Sequence, residues 1–386
     1  MRRSVVLTAL VAAVLAIPVS AHAATSTVSL QTSAAKITAG DEVTLSGQIS
    51  PPSSGETVEI RDPDEAVVAT AATDASGAFS ATISPDATVT LHAVWGTAAS
   101  EPVTVSVRAV VHVNLPPVRL FDDVTVHGTV TPAVQGKRAT IELLLDGDVV
   151  RTRHAGISKT GAFHQTFSID EPGTYRARAS FSDATHLKGS DVSGSHKTPL
   201  PSLSEGSHGQ YVELLEQRLV ELHYRLVRID ERYDFRTADA VIAFHKVQAM
   251  PTTATVNAAT WRAMANPKVP HARSRTDGFH VEVDQTRQVL YTVDDGAITD
   301  ILHISSGKAS TPTRDGTFHV NRKIAGYSPN HLYYPSYFDG NRALHGWTDV
   351  PTYPASHGCV RIPYWNAKFI YGLTPIGTKV IVYHHS

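Results

Sequence analysis

The chain has 386 residues, 42% of them hydrophobic, so it is too long for one ordinary domain and apolar enough to build several packed cores. Charged residues are only 18% and the net charge is −2, which excludes a highly charged disordered protein and gives no electrostatic footprint for nucleic acid or an acidic membrane surface. Histidine is abundant at 20 residues, so no single histidine marks a site, whereas Cys359 stands as the one cysteine.

The first segment reads as a secretory signal over residues 1–23. Arg2 and Arg3 supply the positive start, Val5 to Ile17 is uncharged, and Ala21-His22-Ala23 gives a small-x-small cleavage pattern. The run is short for a span, which takes about 20 residues, and no later stretch approaches that length. A secreted, extracytoplasmic protein without a transmembrane anchor after cleavage is therefore expected. Exported chains mostly use cysteines in pairs. An unpaired Cys359 is then an inert buried residue, a link between copies, or a reactive thiol.

Residues 25–107 and 108–196 carry a repeat. Val43-Thr44-Leu45-Ser46-Gly47-Gln48-Ile49-Ser50-Pro51 recurs as Val124-Thr125-Val126-His127-Gly128-Thr129-Val130-Thr131-Pro132, and Gly77-Ala78-Phe79 as Gly161-Ala162-Phe163. Units of about 80 residues with many short alternating runs predict two β-sandwiches. They resemble the immunoglobulin-like modules of exported bacterial proteins, which implies spacers or weak wall-binding units.

Ser193 to Ser202 reads as a polar linker. Beyond it Val212, Leu215, Leu219 and Leu222 draw one helical face. A second helix, capped by Thr237, carries Ala238, Val241 and Ile242, and a third, capped by Asn257, carries Trp261 and Met264. The spacing predicts a small three-helix bundle over 201–267. Leu203, Gly206, Gly209, Val212, Leu215, Gln217, Leu219, Tyr224, Thr237, Val241, Phe244 and Trp261 make it resemble the peptidoglycan-binding three-helix domain. It departs from that family at Glu231 to Arg236, where an Asp-Gly and a Phe-Gly pair are usual, and at His245, where Gln is usual.

Lys268 to Thr276 is the next linker. From His280 the pattern returns to period 2, with Val281 and Val283, then Val289 to Val293, a tight turn at Asp295-Gly296, and a returning strand from Ile298 to Ile304. The whole is a multidomain, mainly β protein with one small helical domain and a β-rich domain over 277–384. Tyr333, Tyr334, Tyr337 and Trp347 are core aromatics or groove walls, at least two of them core, and His384-His385 reads as a solvated tail.

The chemistry concentrates in Ser356-His357-Gly358-Cys359-Val360-Arg361, with Leu344-His345-Gly346-Trp347 upstream. A thiol becomes a useful nucleophile when a base or a positive charge favours its thiolate. His345 and His357 are candidate bases and Arg361 a candidate for stabilising negative charge. Gly358 permits a turn that presents backbone N–H groups to an oxyanion. Spacing alone leaves the two histidines even. A metal site from His345, His357 and Cys359 lacks a close-spaced ligand pair, and no metal is expected.

This block resembles the L,D-transpeptidase catalytic domain of the YkuD type, with Ser305-Ser306-Gly307, Thr311-Pro312-Thr313 and Gly316-Thr317-Phe318 matching further family stretches. The resemblance implies Cys359 as nucleophile and His345 as general base, its tautomer fixed by the carbonyl of Gly346. Ser356, His357 and Gly358 would shape the oxyanion hole, and Arg361 would support the substrate or the loop. It also implies an exported enzyme that needs no cofactor, with peptidoglycan stem peptides and the glycan as partners, and that forms cross-links through a thioacyl intermediate with release of D-Ala. Acylation by carbapenems is implied too. The alternatives are an L,D-carboxypeptidase, with water as acceptor, or a wall-binding structural protein.

Overall fold

The computed structural model describes residues 25–275 and 278–385. The expected signal segment, residues 1–23, lies outside them. From residue 27 to 197 every regular element is a strand. Alternating burial along strands such as Val43–Ser50 and Arg138–Leu145 turns one side of each inward, and two sheets close on each of the two apolar cores. The repeated Gly and Phe have a packing reason. Gly47 faces Phe79 across one strand pair and Gly128 faces Phe163 across the other. A Cβ on Gly47 would fall 2.5 Å from the Phe79 ring, and one on Gly128 2.2 Å from the Phe163 ring. Each ring lies over a backbone position that has room only for hydrogen.

The expected linker at 193–202 is partly built into the second sandwich. His196–Lys197 pairs with Thr174 and Tyr175, and Thr198 is buried against Gly173. Helix α1 (Gln210–Glu221) then buries Val212, Leu215 and Leu219, as the spacing requires. Helix α3 (Ala258–Ala265) starts on Asn257 with a full capping box. Helix α2 (Phe235–Gln248) corrects the sequence reading at its start. Asp234, not Thr237, caps it, accepting from the N–H groups of Arg236 and Thr237. Thr237 instead donates its hydroxyl to Glu216 at 2.7 Å inside the core. His245 is equally structural, spanning Thr253 O and Thr260 Oγ1 at 2.8 and 3.0 Å.

The last region packs two sheets. A five-stranded sheet runs in the order Ala297–His303, Val289–Asp294, His280–Asp284, Lys379–Tyr383 and Gly316–His319. A four-stranded one runs Arg322–Lys323, Tyr333–Asp339, Arg342–Trp347 and Val360–Pro363, with helix α4 (Ala367–Leu373) beside it. Asp295 and Gly296 form the tight turn with φ of 46° and 78°, matching a primed hairpin turn. Both faces of the larger sheet are covered. Val281, Val283, Leu290, Leu302 and Val380 join Leu344, Val360 and Ile370 in one core. Val289, Tyr291, Val293 and Ile301 join Tyr224, Val241 and Phe244 of the helical domain in another.

The helical domain is therefore docked and not tethered. Each aliphatic side chain buried at that junction contributes roughly 1.5–3 kcal/mol relative to exposure. Lys246 of α2 crosses it, donating to Gln288 O, Ile304 O and His303 Nδ1 at 2.9, 3.0 and 2.7 Å. The connection after α3 is pinned as well: Lys268 bonds Gln248, and the N–H groups of Arg273 and Ser274 reach the buried Glu282 carboxylate. The C-terminal histidines are exposed, as a solvated tail would be, but each has an acidic partner. His385 pairs with buried Asp284 at 2.7 Å and His384 with Asp315 at 3.0 Å. Among the described residues no helix is long and apolar enough to cross a membrane.

Candidate active site

Two neighbouring strands build the site. Arg342–Trp347 and Val360–Pro363 pair in parallel, with Leu344 opposite Val360 and His345 opposite Arg361. Leu344 and Val360 point into the core. Alternation then turns His345 and Trp347 to the other face, together with Arg361 and, two residues before it, Cys359. By this register Cys359 comes level with Ala343, two residues before His345 on the neighbouring strand.

The histidines separate by environment. His345 is buried, and its Nδ1–H donates to Gly346 O at 3.0 Å, which leaves the Nε2 lone pair free to accept a proton. Burial pushes His345 down to about 4, with Arg361 lowering it further and the Gly346 carbonyl opposing. His357 is exposed. Burial pushes the Cys359 thiol up, while the Ala343 N–H and the charges of Arg342 and Arg361 pull it down. The Sγ–H itself lies 3.7 Å from Asn341 O. Both shifts favour the neutral thiol and the neutral imidazole.

The turn that carries the cysteine is tied from several sides. Ser356 donates its hydroxyl to Cys359 O and accepts from Gly358 N–H. Gly358 has φ of 109°, where a side chain would be strained. Its N–H is thus engaged by Ser356, and among the described residues no protein acceptor takes the N–H of His357 or Cys359. Thr313 Oγ1 donates to Gly358 O at 3.0 Å and Gly307 N–H to Thr313 Oγ1 at 2.9 Å. Ser305 exchanges backbone bonds with Arg361. The Ser305–Gly307 and Thr311–Thr313 stretches singled out in the sequence thus converge on the thiol turn. Arg361 sets its guanidinium over the Trp347 ring at 5.3 Å.

Of the four aromatics, Tyr337 is buried, Tyr334 packs against Tyr333 and Tyr371, and Tyr333 and Trp347 line a groove. Sequence reasoning missed Arg342. It stands opposite Gly358, so a Cβ there would fall 2.9 Å from Arg342 Nε. That Nε is buried without a partner, while Nη1 holds Asp339 at 2.9 Å. The signal was strand register, which the sequence does not print.

Comparison with family models matches residues 278–382 to the L,D-transpeptidase catalytic domain (YkuD) and residues 208–264 to a peptidoglycan binding domain. Among solved structures, an L,D-transpeptidase of Xylanimonas cellulosilytica is 34% identical over 48% of this chain and 100% of its own, with a TM-score of 0.45. The catalytic domain of an Enterococcus faecium L,D-transpeptidase, solved acylated by ertapenem, is 26% identical over 28% of this chain and 100% of its own, with a TM-score of 0.24. An L,D-transpeptidase of Mycobacterium tuberculosis is 18% identical over 28% of this chain and 57% of its own, with a TM-score of 0.26. No match is found among curated proteins.

Proposed function

The chain belongs to the L,D-transpeptidase family, and on that premise we propose that it is an exported enzyme that cross-links peptidoglycan stem peptides through a thioacyl intermediate on Cys359. The observation that carries this reading is the strand register that brings Cys359 and His345 to one face, with the His345 Nδ1–H fixed on Gly346 O. Because both shifts favour the neutral forms, the thiol proton moves to His345 Nε2 as sulfur attacks the carbonyl of the third stem residue. His345 returns that proton to the leaving D-Ala amine as the C–N bond breaks. A side-chain amine of a second stem then attacks the thioacyl carbon and displaces the sulfur.

The remaining groups support that charge flow. The free N–H groups of His357 and Cys359 serve the oxyanion, and Ser356 and Gly358 hold the turn that presents them. Arg361 and Arg342 favour negative charge at the sulfur. The helical domain, matched to a peptidoglycan binding domain, holds the enzyme on its polymeric substrate, and the two sandwiches act as spacers. All of this chemistry uses protein groups alone.

The test is Cys359→Ala with a purified stem tetrapeptide. The wild type releases D-Ala, gains the tripeptide acyl mass or a carbapenem on Cys359, and yields dimers; the variant does none of these. Retention of dimer formation by the variant would sink the reading. Tripeptides without dimers would mark a carboxypeptidase. His345→Ala abolishes thioacyl formation while His357→Ala keeps it, and the reverse outcome would exchange their roles.

A further inference from the structure

Trp347 stands its indole edge-on to the His345 ring, with centroids 5.5 Å apart and planes at 90°. Beyond it a groove of about 750 Å³ opens between the catalytic domain and the first turns of α2. That volume falls within the range of about 300–1,000 Å³ typical of ligand clefts. Trp347, Asp349 and Lys368 belong to one wall, and Phe235, Arg236 and Asp239 to the other. Phe235 is 48% exposed, although most of α2 is buried. The two walls are held in register. Trp365 Nε1 donates to Asp239 at 2.7 Å across the domain junction. On the rim, His303 bonds Val350 O at 2.8 Å while accepting from Lys246 of α2.

The position of the groove selects its occupant. Along the active face the order is Cys359, His345, Trp347. The groove begins at Trp347, on the side of His345 away from the sulfur. Resolution of the thioacyl bond needs an amine within reach of both the acyl carbon and His345 Nε2. The amine forms the C–N bond, its proton passes to Nε2, and the C–S bond breaks to return the sulfur, which takes that proton back. The body of such an acceptor must extend away from the acyl chain. Lys368 and Arg236, whose Nη1 already holds Asp234 at 2.6 Å, offer cations for its carboxylates, and Asp349 and Asp239, which accepts from Trp365, carboxylates for its ammonium groups. Water as acceptor would need none of these groups.

We propose that this groove is the acceptor site, taking a second stem peptide whose side-chain amine reaches His345, with α2 of the helical domain as one wall. The proposal rests on the transpeptidase reading above. It is tested in the full chain with Phe235→Ala combined with Arg236→Glu, and separately with Lys368→Glu on the opposite wall. D-Ala release is measured with a donor tetrapeptide alone. Dimer formation is measured against the concentration of a tripeptide with a free side-chain amine at its third residue. Each variant is expected to raise the acceptor KM about tenfold relative to any change in D-Ala release, the scale of losing one charge-assisted contact. Equal falls in D-Ala release and dimer formation, or no change in acceptor KM, would overturn it. Should one variant fail to fold, the other wall still decides. A wild type that releases no D-Ala refutes the family reading itself, and this proposal with it.

Discussion

In the proposed mechanism Cys359 is the nucleophile and His345 its base, and their surroundings favour a neutral pair over an ion pair at rest. Burial acts on the two in opposite directions, raising the thiol and lowering the imidazole, and both shifts favour the neutral forms. Two guanidinium groups oppose the first shift, Arg361 two residues along the same segment and Arg342 on the neighbouring strand across from Gly358. The expected consequence is a rate of alkylation by iodoacetamide that is still climbing at pH 9.0, the ordinary thiol value. Arg342→Gln removes one positive charge, so the thiol titrates higher and alkylation at any fixed pH below that point slows. A plateau beginning near pH 7 in the wild type would mean a thiolate–imidazolium pair instead, and an unmoved profile in the variant would remove Arg342 from the site.

At the scale of elements, the His345 strand is locked to the helix behind it. A Cβ on Gly346 would fall 2.5 Å from the Ala367 Cβ at the start of α4 and 3.1 Å from Tyr333 Cδ1. Gly346→Ala is therefore expected to cost about 1–3 kcal/mol of stability through overpacking. Because Gly346 O holds the His345 ring, D-Ala release should fall with it. Adding Ala367→Gly restores the space and should recover both in part, read by thermal melting and D-Ala assay. Full activity and an unchanged melting temperature in the single variant would refute the packing argument. The motif residues were legible because their chemistry is local: Ser356 to Cys359 is one turn, and its partners Ser305 and Thr313 recur in fixed stretches. Arg342 was not legible, because its place depends on which residue faces Gly358. The cap of α2 misled for a related reason. Asp234 and Thr237 are both good cap residues, and the choice depended on Glu216, 21 positions away, taking the Thr237 hydroxyl.

For the whole molecule, what the sequence hid was the docking of its parts. Helix α2 is buried on nearly every side because the catalytic sheet covers what a free three-helix domain would expose, so its pattern lacks a polar stripe. Lys246, a buried cation at that junction, makes the docking sensitive to pH. Burial lowers Lys246 to about 7 from 10.5, against the pull of Asp239, and burial and Lys246 hold His303 near 3 and so neutral. Between pH 7 and 10.5 the unfolded chain binds the Lys246 proton more tightly than the folded one. Stability therefore rises with pH through that window and is flat on this account below it. Asp239, raised to about 6 from 3.8, contributes only at lower pH, where stability falls as pH rises through its own window. The urea midpoint of the full chain, followed by tryptophan fluorescence, is thus expected to rise from pH 7 to pH 9. Lys246→Met keeps the aliphatic stem and removes the titrating group, so its midpoint should rise much less over the same range, by what Lys323, also lowered by burial, contributes. A wild-type midpoint that stays level or falls, or a variant that keeps the slope, would mean that Lys246 is not the group linking the two domains to pH.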